Sequence, residues 1–180
     1  MAANKDLEQQ YGRAMEEHGF LPDPENQRYG SMGLCWRHTS QQGGGFFWTY
    51  GQQDLYTIKI HDFFFHEDQL LEFHWPESLS VTWYESISGE EFSPCRRLVP
   101  GCVKSFIGGR EPYRALIHRQ IPIVSIGVEI TPAYYRDYLR RQFPQEYQSL
   151  LESFQTLDQT EHFPETFDEN DEPVYDYDAY

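Results

Sequence analysis

The chain has 180 residues with 14 Lys and Arg against 29 Asp and Glu, a formal charge of −15, 39% apolar residues and 17% aromatic residues. That length fits one domain with a sizeable core and leaves no room for two full domains and a linker. The acidic balance excludes a surface that holds nucleic acid by itself, because phosphate binding draws most of its free energy from Lys and Arg. The charge is uneven: residues 1–95 sum to −10, 96–141 to +6, 142–157 to −2 and 158–180 to −9. No run approaches the roughly 18 apolar residues of a membrane helix. The opening Met1-Ala2-Ala3-Asn4-Lys5-Asp6 lacks the apolar core of a signal peptide, so the expectation is a soluble, cytoplasmic chain. Cys35, Cys95 and Cys102 show neither CxxC nor zinc spacing and read as reduced thiols packed as small apolar residues.

In chain order, Leu7, Tyr11, Ala14, Met15 and His18 predict an N-terminal helix within residues 1–20, started by Asn4 or Asp6 and ended by Gly19. Pro22 and Pro24 break that pattern. From 29 to 131 the helical period gives way to seven or eight short strands at roughly ten-residue spacing, the signature of an antiparallel sandwich or barrel. Gly43-Gly44-Gly45 precedes the run Phe46 to Tyr50, Leu55 to His61 and Leu79 to Tyr84 alternate, and the last two strands are Tyr113 to His118 and Ile123 to Ile130. After Thr131 and Pro132, a cap and a first helical residue, the period turns helical again over 132–157. Tyr134, Tyr135, Tyr138 and Leu139 make one stripe, Pro144 divides the segment, and Tyr147, Leu150, Leu151 and Phe154 make a second. These last four are the predicted helix-packing residues, against the barrel or against a second subunit. Residues 158–180 carry nine acids and no base, and are expected to be a disordered tail.

Several blocks carry a family resemblance: His61-Asp-Phe-Phe-Phe-His-Glu-Asp68, Thr82 to Glu91, Arg96-Arg-Leu98 with Gly101-Cys-Val103, and above all Gly127-Val-Glu-Ile-Thr-Pro-Ala-Tyr-Tyr-Arg-Asp-Tyr-Leu-Arg140, with Phe163-Pro-Glu165 at the end. Over Tyr11 to Glu165 the chain resembles the N-terminal domain of a subset of AraC-type transcription regulators. The resemblance implies a mainly β, cupin-like double-stranded β-barrel or jelly roll with an N-terminal helix and two C-terminal helices, holding a small-molecule effector and dimerising through its helices. In that family a helix-turn-helix domain follows and binds DNA. Here an acidic tail stands in its place, so the expectation is the sensory part alone, with DNA reached only through a helix-turn-helix domain absent from this chain.

A cupin metal centre needs two histidines two residues apart, a Glu and a distant His. His61 and His66 are five apart, and with His74 and Glu72 they lack the pattern, so neither metal nor cofactor is expected. Trp83 and Glu85 share a strand face with Leu79 and Val81. Either that face is inward and the two orient a ligand, or Trp83 is core and Glu85 points outward. His118 and Glu129 stand near strand ends, as cavity or rim groups. Among the aromatics, Trp48 and Phe63 are candidates for stacking on an effector, against the alternative that they fill the barrel. The basic residues from Arg96 to Arg141 could receive the acidic tail. No GxSxG, P-loop, GxGxxG or HExxH occurs, and the expectation is a non-enzyme. Two other readings stay open: a metal-dependent cupin enzyme, and a truncated partner that pairs with full-length regulators.

Overall fold

The computed structural model describes residues 2–29, 33–39, 41–52, 55–92, 95–109 and 112–160, with two short strands at 166–167 and 173–174. Helix α1 (Ala2–Glu17) is followed by β1 (Phe20–Pro22), β2 (Leu34–His38), β3 (Gly43–Gln52), β4 (Tyr56–Phe65), β5 (Gln69–Phe73) and β6 (Ser78–Ser86). Then come β7 (Gly89–Phe92), β8 (Cys95–Leu98), β9 (Val103–Gly108), β10 (Tyr113–Ile117) and β11 (Ile123–Ile130). A π-helical segment (Ala133–Leu139), a single turn α2 (Arg140–Gln142) and α3 (Pro144–Thr160) close the described fold, apart from the strand pair β12 (Thr166–Phe167) and β13 (Pro173–Val174).

The strands form two antiparallel sheets, one of seven strands in the order β1-β2-β3-β4-β11-β6-β9 and one of four in the order β5-β10-β7-β8. This is the mainly β, antiparallel two-sheet architecture that the strand spacing predicts. The count of seven or eight strands falls short because β1, β7 and β8 are only three or four residues long. Strand β11 lies between β4 and β6, so the last strand of the barrel is central to the large sheet.

The side-chain period of two fixes what faces inward. Along β4, Lys59, His61, Phe63 and Phe65 line the interior. Phe47 of β3 and Ser125 of β11 stand opposite His61 in the register. The core between the sheets is aromatic: Trp36, Phe47, Phe63 and Phe65 are buried there with Leu71, Leu98 and Ile117. Helix α1 adds Tyr11 and Met15 to the same core. Gly43, Gly44 and Gly45 belong to β3 itself and pair with Phe65, Phe64 and Phe63. At Gly45 φ is +102°, and an added Cβ would lie 2.3 Å from the Asp62 carbonyl oxygen. The run is therefore a pinched stretch of β3 itself, where the sequence reading begins the strand only at Phe46.

The C-terminal helical region covers part of the outer face of the large sheet. Leu79 and Tyr135 are buried there, packed by Ile107, Ile130, Tyr134, Tyr147 and Leu150. The Tyr135 hydroxyl donates to Glu77 Oε1 at 2.9 Å, and Arg136 pairs with the same carboxylate. Thr131 acts as the predicted cap, its Oγ1 accepting the Tyr134 N–H at 3.3 Å. The wider π winding separates the tyrosines, leaving Tyr135 buried and Tyr138 exposed. Tyr147 and Leu150 thus pack on the barrel, Leu151 is half-buried, and the Phe154 side chain lies outside the described residues. Beyond α3 and the β12–β13 pair, the acidic tail and its suggested contact with the basic stretch also lie outside them.

Among the described residues no helix is long and apolar enough to cross a membrane. Their cysteines form no disulfide: Cys35 is buried, and burial pushes its thiol pKa up to about 11. Gly45→Ala is expected to lower folding stability by about 1–3 kcal/mol, since it combines a positive φ with a backbone clash. Urea unfolding of the two proteins measures this, and an unchanged midpoint would show that β3 relaxes freely at this position.

Candidate ligand cavity

Between the two sheets lies a cavity of about 150 Å³. One wall is aromatic and aliphatic, with Phe47, Phe63, Phe73, Trp75 and Phe106 among its residues. The other is polar and charged, with Lys59, His61, Tyr84, Glu91, Arg96, Lys104 and Tyr113. An apolar pocket with a few convergent polar groups is the ordinary form of a small-molecule site.

Glu91, from β7, is the centre of the polar wall and is only 3% exposed. Arg96 Nε donates to its Oε2 at 2.7 Å, Tyr113 Oη donates to its Oε1 at 3.0 Å, and the Lys104 ammonium pairs with Oε2. Arg96 also donates to the Ser105 carbonyl oxygen at 3.2 Å. Burial opposes the Glu91 carboxylate, but Lys104 and Arg96 outweigh it and hold its pKa below the usual range. Burial also acts on Lys104, where Arg96 adds to it and Glu91 offsets only part, so its pKa falls to about 8. The Tyr113 phenol is pushed well above its ordinary value, first by burial and then by Glu91, and stays a hydrogen-bond donor.

A second polar group is built on β4, β11 and α1. Lys59 Nζ donates to Glu129 Oε2 at 2.6 Å, and Tyr11 Oη donates to Glu129 Oε1 at 3.2 Å. The Lys59 ammonium also lies 4.5 Å from the centre of the Trp75 ring. Burial works against its charge, and Tyr11 and Glu129 overcome that, leaving its pKa above the ordinary value. Two residues along, His61 Nδ1 is 2.6 Å from Ser125 Oγ, and the ring stacks on Phe47 with centroids 4.8 Å apart. Burial, helped by Lys59, lowers the His61 pKa to about 3, so the ring is neutral at ordinary pH.

The structure distributes the predicted site residues differently from the sequence reading. Phe63 lines the cavity. Glu129 is buried behind Lys59 and holds that ammonium in place. Trp83 and Glu85 are on the outer face, with Trp83 44% exposed, while Ser80, Thr82 and Tyr84 of the same strand face inward. The alternation is real, but the polar set lines the cavity and the apolar set lies outside, where Leu79 is buried beneath the helical region. Trp48 is also on the outer face, stacked on Tyr50 and tilted against Tyr29. His118 sits past the end of β10, with Nδ1 2.8 Å from Ser88 Oγ and Nε2 3.0 Å from Glu90 Oε2, and does not line the cavity. Sequence reading missed Lys59, Glu91, Arg96 and Lys104. The signal for them was a charged residue at an inward parity of a strand, as at Lys59 two before His61.

The cavity does not present a metal centre. Among the described residues no three His, Cys, Asp or Glu side chains come together as ligands. His61 is engaged with Ser125, and its inward neighbour two residues away is a protonated lysine. Glu72 is half-exposed and paired with Arg114, while His74 is exposed.

No protein-family model matches the chain, and no curated protein matches it. Similar solved structures include an RmlC-like cupin protein from Desulfovibrio desulfuricans, at 15% identity and TM-score 0.37, covering 52% of this chain and 86% of that one. Another is a sugar phosphate isomerase of the cupin superfamily from Silicibacter pomeroyi, at 11% identity and TM-score 0.33, covering 47% and 59%. A third is the polyketide cyclase RemF from Streptomyces resistomycificus, at 10% identity and TM-score 0.35, covering 62% and 73%. The chain has a cupin-like fold. The expectation of a non-enzyme is corrected here, since enzymes are among the solved structures similar to this fold. Their reactions are not carried over at this degree of likeness.

Two variants test the electrostatics. Glu91→Gln removes the buried carboxylate that Arg96 and Lys104 share and is expected to cost about 3–5 kcal/mol in denaturant unfolding. If the loss is below about 1 kcal/mol, Glu91 does not hold the two sheets together. The second test concerns His61, whose pKa falls from the ordinary 6.5 to about 3 in the folded chain. Below pH 6.5 the unfolded chain binds a proton that the folded chain refuses. Stability from this group is therefore complete above 6.5 and is lost towards 3, by up to about 1.4 kcal/mol per pH unit. His61→Gln is expected to flatten that part of the stability–pH curve, and an unchanged slope would place the ring in contact with solvent.

Proposed function

We propose that this cupin domain binds a compact polar small molecule between its sheets and carries out proton transfer on it with Glu91, Lys104 and Tyr113. The observation that supports the reading is a buried amine, guanidinium and phenol converging on one carboxylate, Glu91, at the polar wall of a cavity lined elsewhere by aromatic side chains. Their protonation states differ usefully. Glu91 is held ionised and can accept a proton, Tyr113 is held neutral and can donate a hydrogen bond, and Lys104 titrates near neutrality, where an acid–base group works best. Lys59, Arg96 and the aromatic wall orient the ligand and exclude water.

A second reading, effector sensing of the AraC type, is favoured by the position of β6 and β9. These strands face the cavity with Ser80, Thr82, Lys104 and Phe106, and pack beneath the C-terminal helices with Leu79 and Ile107. A ligand that moves them is felt by the helices, provided it binds the two arrangements with different affinity. Homodimerisation and DNA binding through a separate helix-turn-helix domain belong to this reading as proposals.

A thermal-shift screen of small polar metabolites, followed by deuterium uptake into each hit from heavy water, tests the first reading. Stabilising ligands that exchange protons only with wild-type protein, and not with Tyr113→Phe or Lys104→Met, are expected. Absence of any stabilising ligand overturns it. Hits without exchange leave a sensor, for which binding should alter amide exchange in residues 133–151; no change there overturns the sensor reading.

A further inference from the structure

We infer that the outer face of the seven-stranded sheet is a docking surface for a second copy of this chain, the two sheets packing face to face about a two-fold axis. The inference gives the homodimerisation named above a surface of its own and does not depend on what the cavity binds. Its ground is the strand register. On the side of the sheet away from the cavity, Trp48 of β3, Ile60 of β4, Ile126 of β11, Trp83 of β6 and Val103 of β9 stand opposite one another in one cross-strand row. Two residues along each strand, Tyr50, Ile58, Val128 and Val81 make a second row. A third, Ile130, Leu79 and Ile107, lies beneath the C-terminal helical region. The helices therefore cover one end of an apolar surface that continues past them across the sheet.

Cross-strand neighbours on one face touch, so the first two rows form one patch. Val81, Trp83, Val103, Ile126 and Val128 are between 42% and 63% exposed, and Ile58 and Ile60 are half-buried beside them. Those exposed residues alone present roughly 400 Å² to solvent, the size at which an apolar patch marks an interaction site. With the half-buried flank it approaches the apolar core of a standard interface, which buries about 800 Å² per partner. No charged side chain stands in either row, and the outward charges of β4 and β6 lie at the margin: Asp62, which pairs with Arg28, and Glu85. An isologous pairing thus sets apolar surface against the same surface with no like charges opposed. The acidic segment 158–180, with nine acids and no base, is a poorer occupant, because its carboxylates would lose water against two rows that hold no cation. Tyr147 and Leu150 are taken up by the barrel of their own chain and are not needed for the contact.

Sedimentation equilibrium of the full chain, in about 0.15 M salt to screen the net charge, is expected to show a dimer predominating at about 50 μM. Ile126→Glu and, separately, Val103→Glu place a carboxylate inside the patch, and each is expected to raise the dimer dissociation constant about 100-fold or more. Both side chains are exposed in the single chain, so folding should survive, with far-ultraviolet circular dichroism as the check; if one variant fails to fold, the other decides. Ile126→Val is expected to keep the dimer. A full chain that stays monomeric at about 50 μM, or a dimer that neither charged variant weakens, overturns the inference. If that monomer gains acrylamide-accessible tryptophan fluorescence when residues 158–180 are deleted, the occupant is the tail and not a second copy.

Discussion

One buried carboxylate organises the barrel. Glu91 belongs to the four-stranded sheet, as do its partners Arg96 and Tyr113, whereas Lys104 belongs to the seven-stranded sheet. The Lys104–Glu91 pair therefore crosses between the sheets, as does the Arg96 bond to the Ser105 carbonyl oxygen. An ionised carboxylate in such a place is tolerable only because cations and a phenol surround it. That requirement fixes where β7, β8, β9 and β10 stand relative to one another. It also keeps the polar wall from being filled by hydrophobic side chains, which is what leaves a cavity.

The division of the interior into two kinds of wall follows from this. Aromatic rings from β3, β4 and β5 pack without needing hydrogen-bond partners, and they line much of the cavity. Lys59 shows how the two regimes meet. Its ammonium lies over Trp75 and is anchored on Glu129, so a charge sits within an aromatic shell at no loss of compensation. His61, between Phe47 and Ser125, is the opposite case: with no acid beside it, burial drives it neutral.

Much of the architecture was legible in the sequence, and the reasons are local. The helical periods at Tyr11 to His18 and Tyr147 to Leu151, and the Thr131–Pro132 start, report side chains whose neighbours lie within a few residues. The β-rich middle was equally plain. Which face of each strand turns inward was harder, because alternation gives two faces without saying which is the core. At β6 the apolar set, Leu79, Val81 and Trp83, suggested the interior, and the structure puts Ser80, Thr82 and Tyr84 there. A polar-lined cavity inverts the usual rule. The site was illegible for a related reason: Glu91, Arg96, Lys104 and Tyr113 are separated by turns and strand crossings whose geometry no local pattern encodes. Lys59 and Glu129, seventy residues apart, meet only because β11 returns to lie beside β4.

Helix α1 has a place in this arrangement that its position at the start of the chain conceals. Met15 and His18 line the cavity, and Tyr11 reaches Glu129 across 118 residues of sequence. Met15, His18 and Phe20 thus form part of the wall of the chamber. A protein trimmed to its strands alone would lose the Met15 side of the cavity and the Tyr11 contact to Glu129, leaving Lys59 more exposed and its anchor weakened.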